Sequence, residues 1–158
     1  MLAAKADERV LGYLGRALSM ELSAVQLYST QARLVDSWGL AGVAGKFSAE
    51  ASEELGHAER IISRMLALGV APNASQLRPV RLGQTLKELL QADHTFENEL
   101  VSLYDAAARH CQRIGDHDNR LFFEGLLAEE QTHARELLEW LAKLQEPDTM
   151  GTARNQSQ

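Results

Sequence analysis

The feature that most constrains this chain is a Glu-x-x-His motif that occurs twice, 76 residues apart. Each copy is preceded by a further glutamate, and the distance from that glutamate to the motif is the same in both copies. The six residues are Glu21, Glu54, His57, Glu97, Glu130 and His133. Neighbouring residues recur at the same offset, among them Tyr28 with Tyr104 and Phe47 with Phe123. The pattern indicates an internal duplication of a two-helix unit.

Four segments carry apolar residues at spacings of three and four, which predicts amphipathic helices. The predicted helices span about 6–37, 41–68 and 82–114, with a fourth helix running to about 145. The Glu and His of each motif share a helix face, because positions three apart lie about 60° apart around the axis. Glu21 and Glu97 fall inside the apolar stripes, an unusual place for an ordinary surface carboxylate.

Between the two predicted helix pairs, residues 70–81 lose the helical pattern and contain Pro72, Asn73 and Pro79. A connection of this length is long for adjacent helices of a bundle, so we interpret it as a crossover along the molecule. The sequence therefore predicts an all-α four-helix bundle: two helical hairpins joined by a long crossover. The bundle domain is predicted to cover residues 1–145, followed by a polar, flexible tail over 146–158.

Four carboxylates and two imidazoles facing inward would be costly alone, since a buried ion costs several kcal/mol even after relaxation. Two divalent cations would balance the four negative charges. A mixed carboxylate and imidazole set without thiolate suits iron, with manganese or zinc as substitutes. Known di-iron bundles use this arrangement: two helices supply one Glu each, and the other two supply a Glu-x-x-His motif each. The alternative is that these residues are exposed or form salt bridges.

Several other polar residues are open to two interpretations. Tyr28 could donate a hydrogen bond to a metal-binding carboxylate, or it could be a core tyrosine. Glu50 and Glu53 could relay cations, although a solvated acidic face is the favoured interpretation. Cys111 is predicted to be a small core residue. The histidines outside the motifs are predicted to lie on the surface: His94, His110 and His117.

Composition narrows the class of protein. A chain of 158 residues fits one domain, and a net charge of -6 argues against a general nucleic-acid binder. A single cysteine excludes an intrachain disulfide and a cysteine-built metal site. We see no signal peptide and no uncharged apolar run long enough to span a membrane. These features predict a cytoplasmic protein.

These motifs resemble those of the ferritin superfamily, and most closely those of bacterioferritin, over residues 1–145. The resemblance is carried by Glu21-Leu-x-Ala with Tyr28, Trp38-Gly39-Leu40, Glu54-x-x-His57, Asp93 with Glu97, and Glu130-x-x-His133. It implies that Glu21 and His57 bind one iron ion and that Glu97 and His133 bind the other. Glu54 and Glu130 would bridge the two ions. It also implies Fe(II) oxidation by O₂ or H₂O₂ and storage of the ferric product inside a 24-subunit shell.

The sequence departs from that family in three places. Leu55 stands where bacterioferritins usually have a haem-ligating methionine, so haem is not expected on this subunit. The protein would be haem-free, or it would form a hetero-oligomer with a haem-binding subunit. The short fifth helix of the family is predicted to be absent, because residues 146–158 carry no apolar stripe. Ala49 replaces a histidine often found on the cavity side of the second helix.

Three other functions fit parts of this pattern. A substrate oxygenase would generally be larger, with extra helices that shape a pocket. A di-iron peroxidase of the rubrerythrin type would usually add a four-cysteine site, which a chain with one cysteine cannot build. A structural shell subunit with an inert site would have no need of six complete ligands. Ferroxidase activity is therefore the predicted function.

Overall fold

A computed structural model describes residues 6–73 and 75–145. The described residues form four α-helices and no strand, which confirms the all-α prediction. The helices are α1 (Glu8–Ser37), α2 (Ala41–Ala67), α3 (Leu86–Ile114) and α4 (His117–Gln145). The predicted absence of a fifth helix and the predicted tail both concern residues 146–158, which lie outside the described residues.

The helices pack as two hairpins. Helix α1 lies along α2 and α3 lies along α4, while α1 also packs against α3. The crossover lies on α1 through two hydrogen bonds, in which the backbone N–H groups of Gln76 and Arg78 donate to the hydroxyls of Ser19 and Ser23. The predicted architecture of two hairpins and one long connection is thus confirmed.

Local sequence explains the ends of the helices. The Asp7 carboxylate accepts hydrogen bonds from the backbone N–H groups of Arg9 and Val10, so it caps the free amides at the start of α1. Gly39 and Gly115 follow α1 and α3 with φ angles of 84° and 74°, in the left-handed region that glycine adopts without a Cβ penalty. Each hairpin therefore turns within a few residues.

Helix α3 begins at Leu86, four residues later than predicted. The predicted start near residue 82 is wrong because Thr85 has an extended backbone and acts as the N-cap. Its hydroxyl accepts a hydrogen bond from the N–H of Glu88, and the Glu88 carboxylate accepts one from the N–H of Gln84. This reciprocal arrangement resembles a capping box, whose Thr-x-x-Glu signature is visible in the sequence.

The predicted surface position of His110 is also wrong. This side chain is buried against the ring of Tyr13, and its Nε2 lies 2.9 Å from Oδ1 of Asp7. His117 is exposed as predicted, and His94 is half-buried. A histidine without a repeated partner can therefore still be buried when a helix cap supplies a carboxylate.

The core reflects the internal duplication. The four largest fully buried side chains are two pairs at the 76-residue offset: Tyr28 with Tyr104 and Phe47 with Phe123. Burying a phenylalanine side chain stabilises a fold by about 1.5–3 kcal/mol, so these rings make large contributions. Cys111 is a buried core residue, as predicted. Among the described residues, no helix combines the length and apolarity that a membrane span requires.

Candidate metal centre

All six residues of the repeated motif face the interior of the bundle. Their carboxylates are fully buried, and the two imidazoles are 4% and 7% exposed. Helices α1 and α3 contribute one glutamate each, while α2 and α4 contribute a Glu-x-x-His pair each. The structure therefore brings together every side chain that the sequence singled out as a metal ligand.

The first cluster surrounds Nδ1 of His57. This atom lies 2.8 Å from Glu21 Oε2, 2.6 Å from Glu130 Oε1 and 3.7 Å from Glu54 Oε1. One ligand atom from each of these four residues lies within 4.8 Å of the others. Donor atoms around one small divalent cation, at bond lengths of about 2.0–2.2 Å, would be separated by distances of this size.

The second cluster surrounds Nδ1 of His133. This atom lies 3.1 Å from Glu54 Oε1 and 3.6 Å from both Glu130 Oε2 and Glu50 Oε2. The four residues with ligand atoms within 4.8 Å of one another here are Glu50, Glu54, Glu97 and His133. Glu54 therefore belongs to both clusters. The favoured interpretation of Glu50 as part of a solvated acidic face is wrong, because its side chain is only 25% exposed and lies beside His133.

Most of these buried polar atoms form no hydrogen bond. Both oxygens of Glu21, Glu54 and Glu130 and Nδ1 of each histidine have no hydrogen-bond partner, although neighbouring ligand atoms lie close by. An unsatisfied buried polar group costs about 1–3 kcal/mol, so such a concentration needs an explanation. Atoms that converge on a common point without pairing are arranged as metal ligands are. The residues present fit a pair of divalent cations.

Burial and mutual repulsion govern the charges of this site. Burial, followed by the neighbouring carboxylates, raises the pKa values of Glu21, Glu54 and Glu97 well above the ordinary range. Glu130 is the exception: burial opposes ionisation, but the close approach of Glu97, His133 and His57 lowers its pKa. Protons therefore balance part of the carboxylate charge wherever cations do not.

The pKa of His133 also responds to this environment. Burial favours the neutral ring, but the nearby carboxylates of Glu130, Glu54 and Glu50 favour the charged ring and raise its pKa to about 12. The pKa of His57 is raised too, because the close approach of Glu130 and the charges of nearby carboxylates outweigh the effect of burial. A cation that binds at either Nδ1 must displace a proton.

The two tyrosines that accompany the motifs differ in their contacts. The Tyr28 hydroxyl donates a hydrogen bond of 2.7 Å to Glu97 Oε1, one of the carboxylates predicted to bind metal. The hydroxyl of Tyr104, its equivalent in the second half, is buried without a hydrogen-bond partner among the described residues. Burial, with Glu21 as the first of several nearby charges, raises the pKa of Tyr104.

Sequence reasoning missed one buried polar pair beside the site. The Gln31 amide donates a hydrogen bond of 2.6 Å to Oδ1 of Asp93, and both side chains are fully buried. Burial raises the pKa of Asp93 to about 8, with the charge of Glu50 adding to the effect. The position of Asp93 in the apolar stripe of α3, one turn before Glu97, was the available signal.

The outer edges of the two imidazoles face a cleft between α2 and α4. This cleft has a volume of about 580 Å³, and acidic residues line it, including Glu53, Glu129 and Glu136. Nε2 of His133 lies 2.5 Å from Glu53 Oε2, and Nε2 of His57 lies 3.7 Å from Glu129 Oε1. An ionised carboxylate can only accept, so the ring N–H of His133 donates to Glu53.

Comparison with known proteins agrees with this geometry. The model of the ferritin-like domain matches residues 11–146. The bacterioferritin of Rhodobacter capsulatus is 39% identical over 129 residues, which are 82% of this chain and 80% of that protein. The chain belongs to the bacterioferritin family. The family member from Brucella melitensis is 35% identical over 145 residues, 90% of each chain.

Solved structures of bacterioferritins share the fold. The R. capsulatus structure, determined at 2.6 Å with a metal-free dinuclear site and haem iron in a crystallographic special position, has a TM-score of 0.84. It is 37% identical and covers 88% of this chain and 87% of its own. Mycobacterium tuberculosis BfrA also has a TM-score of 0.84, with 30% identity and 89% coverage of both chains. The four-helix architecture is thus that of a bacterioferritin.

Proposed function

We propose that this chain is the ferroxidase subunit of an iron-storage shell. In this proposal it binds two Fe(II) ions per chain, with Glu21 and His57 at one position, Glu97 and His133 at the other, and Glu54 and Glu130 between them. The observation that carries the proposal is the convergence of buried, unpaired carboxylate and imidazole atoms in two overlapping clusters. Membership of the bacterioferritin family supports it.

The chemistry follows from charge and electron balance. Two divalent cations neutralise four carboxylates, which removes the main cost of burying them. Two Fe(II) ions supply two electrons, which reduce one O₂ to H₂O₂ or one H₂O₂ to water as both ions become Fe(III). Two closely spaced metal positions suit such a two-electron step. The protons held by the glutamates and histidines are released when the cations bind.

The region around Leu55 bears on haem and on assembly. Leu55 is 44% exposed, and an aliphatic side chain offers no lone pair to iron. We propose that this subunit does not ligate haem through that position. The second candidate function follows: a ferroxidase subunit that co-assembles with a haem-binding bacterioferritin subunit. A homomeric or mixed shell of 24 subunits in the cytoplasm completes the proposal, and manganese or zinc could replace iron.

The test is Fe(II) oxidation by the variant Glu130→Gln, followed by stopped-flow absorption. Glutamine keeps the shape of the side chain but removes the negative charge, so we expect the rapid phase of oxidation to be lost. Glu59→Gln is the matched control, because Glu59 is an exposed glutamate of α2 outside both clusters. Unchanged oxidation kinetics in Glu130→Gln, with a helical circular dichroism spectrum, would refute the assignment.

A further inference from the structure

The internal duplication allows the two metal positions to be compared directly. The predicted ligands correspond at the 76-residue offset, but several of their neighbours do not, and two of these differences lie beside the histidines. Glu50 corresponds to Leu126, which is fully buried, and Arg60 corresponds to Glu136. Both differences change the charge near only one of the two histidines.

The surroundings of His133 are strongly acidic. Glu53 accepts from its Nε2, and Glu50 lies 3.6 Å from its Nδ1. Among the described residues, neither glutamate forms a salt bridge with a lysine or arginine. Glu136 contributes a further negative charge close enough to act on Glu50. A cation at this position meets an excess of uncompensated carboxylate.

The surroundings of His57 are balanced by an arginine. Glu129 occupies the position that Glu53 has beside His133, but its Oε1 lies 3.7 Å from His57 Nε2, too far for a hydrogen bond. Its other oxygen lies 2.6 Å from Nη1 of Arg60. Arg60 therefore neutralises the carboxylate behind His57 and brings a positive charge to that side of the site.

These differences act on metal affinity in the same direction. A carboxylate that accepts the outer N–H of a histidine raises the basicity of the nitrogen that faces the metal, and such partners change metal affinity about 10–100-fold. His133 has such a carboxylate in Glu53, and Glu50 lies beside its Nδ1. His57 lacks both, because Glu129 is too far away to accept from its Nε2 and the equivalent of Glu50 is Leu126. The arginine near His57 also repels a cation directly.

We infer that the two positions are unequal, and that the position at Glu97 and His133 binds its divalent cation first and more tightly. Glu53 and Arg60 act as positioning residues for the two histidines. The position at Glu21 and His57 fills last, so its affinity sets the Fe(II) concentration at which a reactive pair is complete. This inference rests on the proposed function, because it requires both positions to bind metal.

The experiment is an anaerobic titration of the metal-free protein with Co(II), in which binding is monitored by calorimetry and by visible absorption. We expect two Co(II) ions per chain, bound in two steps whose dissociation constants differ about 10–100-fold. Fewer than two ions per chain would contradict the proposed function itself. Two indistinguishable steps would contradict only the inference.

Variants assign the steps. His57→Ala should lose the weak step and keep the tight one, and His133→Ala should do the opposite. Glu53→Gln should raise the dissociation constant of the tight step alone, by about 10-fold or more. Arg60→Met should lower the dissociation constant of the weak step, so that the two constants become more similar. Both Glu53 and Arg60 are substantially exposed, so these two changes spare the core.

Controls separate a positioning role from a structural one. Glu59→Gln removes an exposed charge of the same helix and should leave both steps unchanged. A purely structural effect of Glu53→Gln or Arg60→Met would move both steps together or lower thermal stability alone. Loss of the tight step in His57→Ala, or equal effects on both steps in Glu53→Gln, would overturn the inference.

Discussion

The two hairpins of this molecule pack alike but differ in the polar groups around the metal centre. Phe47 and Phe123, equivalent residues of α2 and α4, are both fully buried and both contact aromatic neighbours. By contrast, Tyr28 is hydrogen-bonded to Glu97, whereas the Tyr104 hydroxyl has no such partner among the described residues. The apolar frame has retained the repeat, while the residues next to the ligands have diverged.

The buried pair of Gln31 and Asp93 illustrates this divergence. Their equivalents in the other half are Ala107 and Ala17, two buried small residues. A close-packed core tolerates few changes of volume, so both halves keep large rings at the same depth. Polar residues change more freely when a partner across the bundle can satisfy them, as Gln31 satisfies one oxygen of Asp93.

The largest expected effect tests whether the two halves contribute equally to the core. We expect Phe47→Ala and Phe123→Ala each to lower the free energy of unfolding by about 3–5 kcal/mol, because each removes a buried ring and leaves a cavity. Urea denaturation at one fixed protein concentration measures both changes, since stability of an oligomer depends on concentration.

The exposed leucines Leu66 and Leu138, one on each of α2 and α4, serve as controls for the two halves. Replacing either by alanine should change stability far less than replacing a ring, because little buried apolar area is lost. If only one of the two phenylalanine variants lost stability, the two halves would share a sequence pattern but would contribute unequally to the free energy of unfolding.

Much of the fold could be predicted because the apolar periodicity and the helix-breaking residues place the helices and their connections in the same parts of the chain. Apolar spacing located four helices, and Gly39, Gly115 and the prolines of the crossover separated them. The apolar pattern predicts too early a start for α3, because Leu82 continues the pattern although the helix is capped at Thr85. Local hydrogen bonding thus decided a boundary that hydrophobicity alone extended.

The centre of the site was predictable because its six ligands repeat, but its surroundings were not. The repeat did not mark Glu50, Asp93 or Gln31, because none of them has an equivalent of the same type in the other half. The predicted surface position of His110 is wrong for the same reason, because Asp7 supplies its partner from a distant part of the chain. Residues paired across helices depend on packing that a single sequence does not reveal.

A second test of the comparison uses pH and the buried carboxyl group of Asp93. Its pKa of about 8 lies above the unfolded value of 3.8, so the folded protein holds a proton that the unfolded chain releases. Stability from this group is present below about pH 4 and is lost as pH rises towards 8, by about 1.4 kcal/mol per pH unit. Asp93→Asn removes the titration but keeps the acceptor for Gln31.

We therefore compare the free energies of unfolding of metal-free Asp93→Asn and the metal-free original protein by urea denaturation. The variant's free energy of unfolding, relative to that of the original protein, should rise by about 3 kcal/mol between pH 5 and pH 7. The residues that face Asp93 are unchanged in the variant, so their own titrations are common to both proteins. Parallel pH profiles for the two proteins would mean that Asp93 is ionised in the folded state, contrary to this argument.

The smallest expected effect compares the two equivalent tyrosines. Tyr28→Phe removes the hydroxyl that donates to Glu97 and leaves a buried carboxyl oxygen unsatisfied, at a cost of about 1–3 kcal/mol. Tyr104→Phe removes a hydroxyl that has no partner among the described residues, so stability should be unchanged or slightly higher. Urea denaturation of both metal-free variants at one pH measures the difference.

Each tyrosine variant is the control for the other, because both delete one oxygen from a fully buried ring at equivalent depth. The metal-binding titration adds a second readout: loss of the Tyr28 hydroxyl frees Glu97 to reorient, so the step assigned to His133 should weaken while the other holds. Equal losses of stability in the two variants would mean that Tyr104 also has a partner in solution. The halves would then match in their polar contacts as well as in their core, and the asymmetry of the centre would have to come from Glu50 and Arg60 alone.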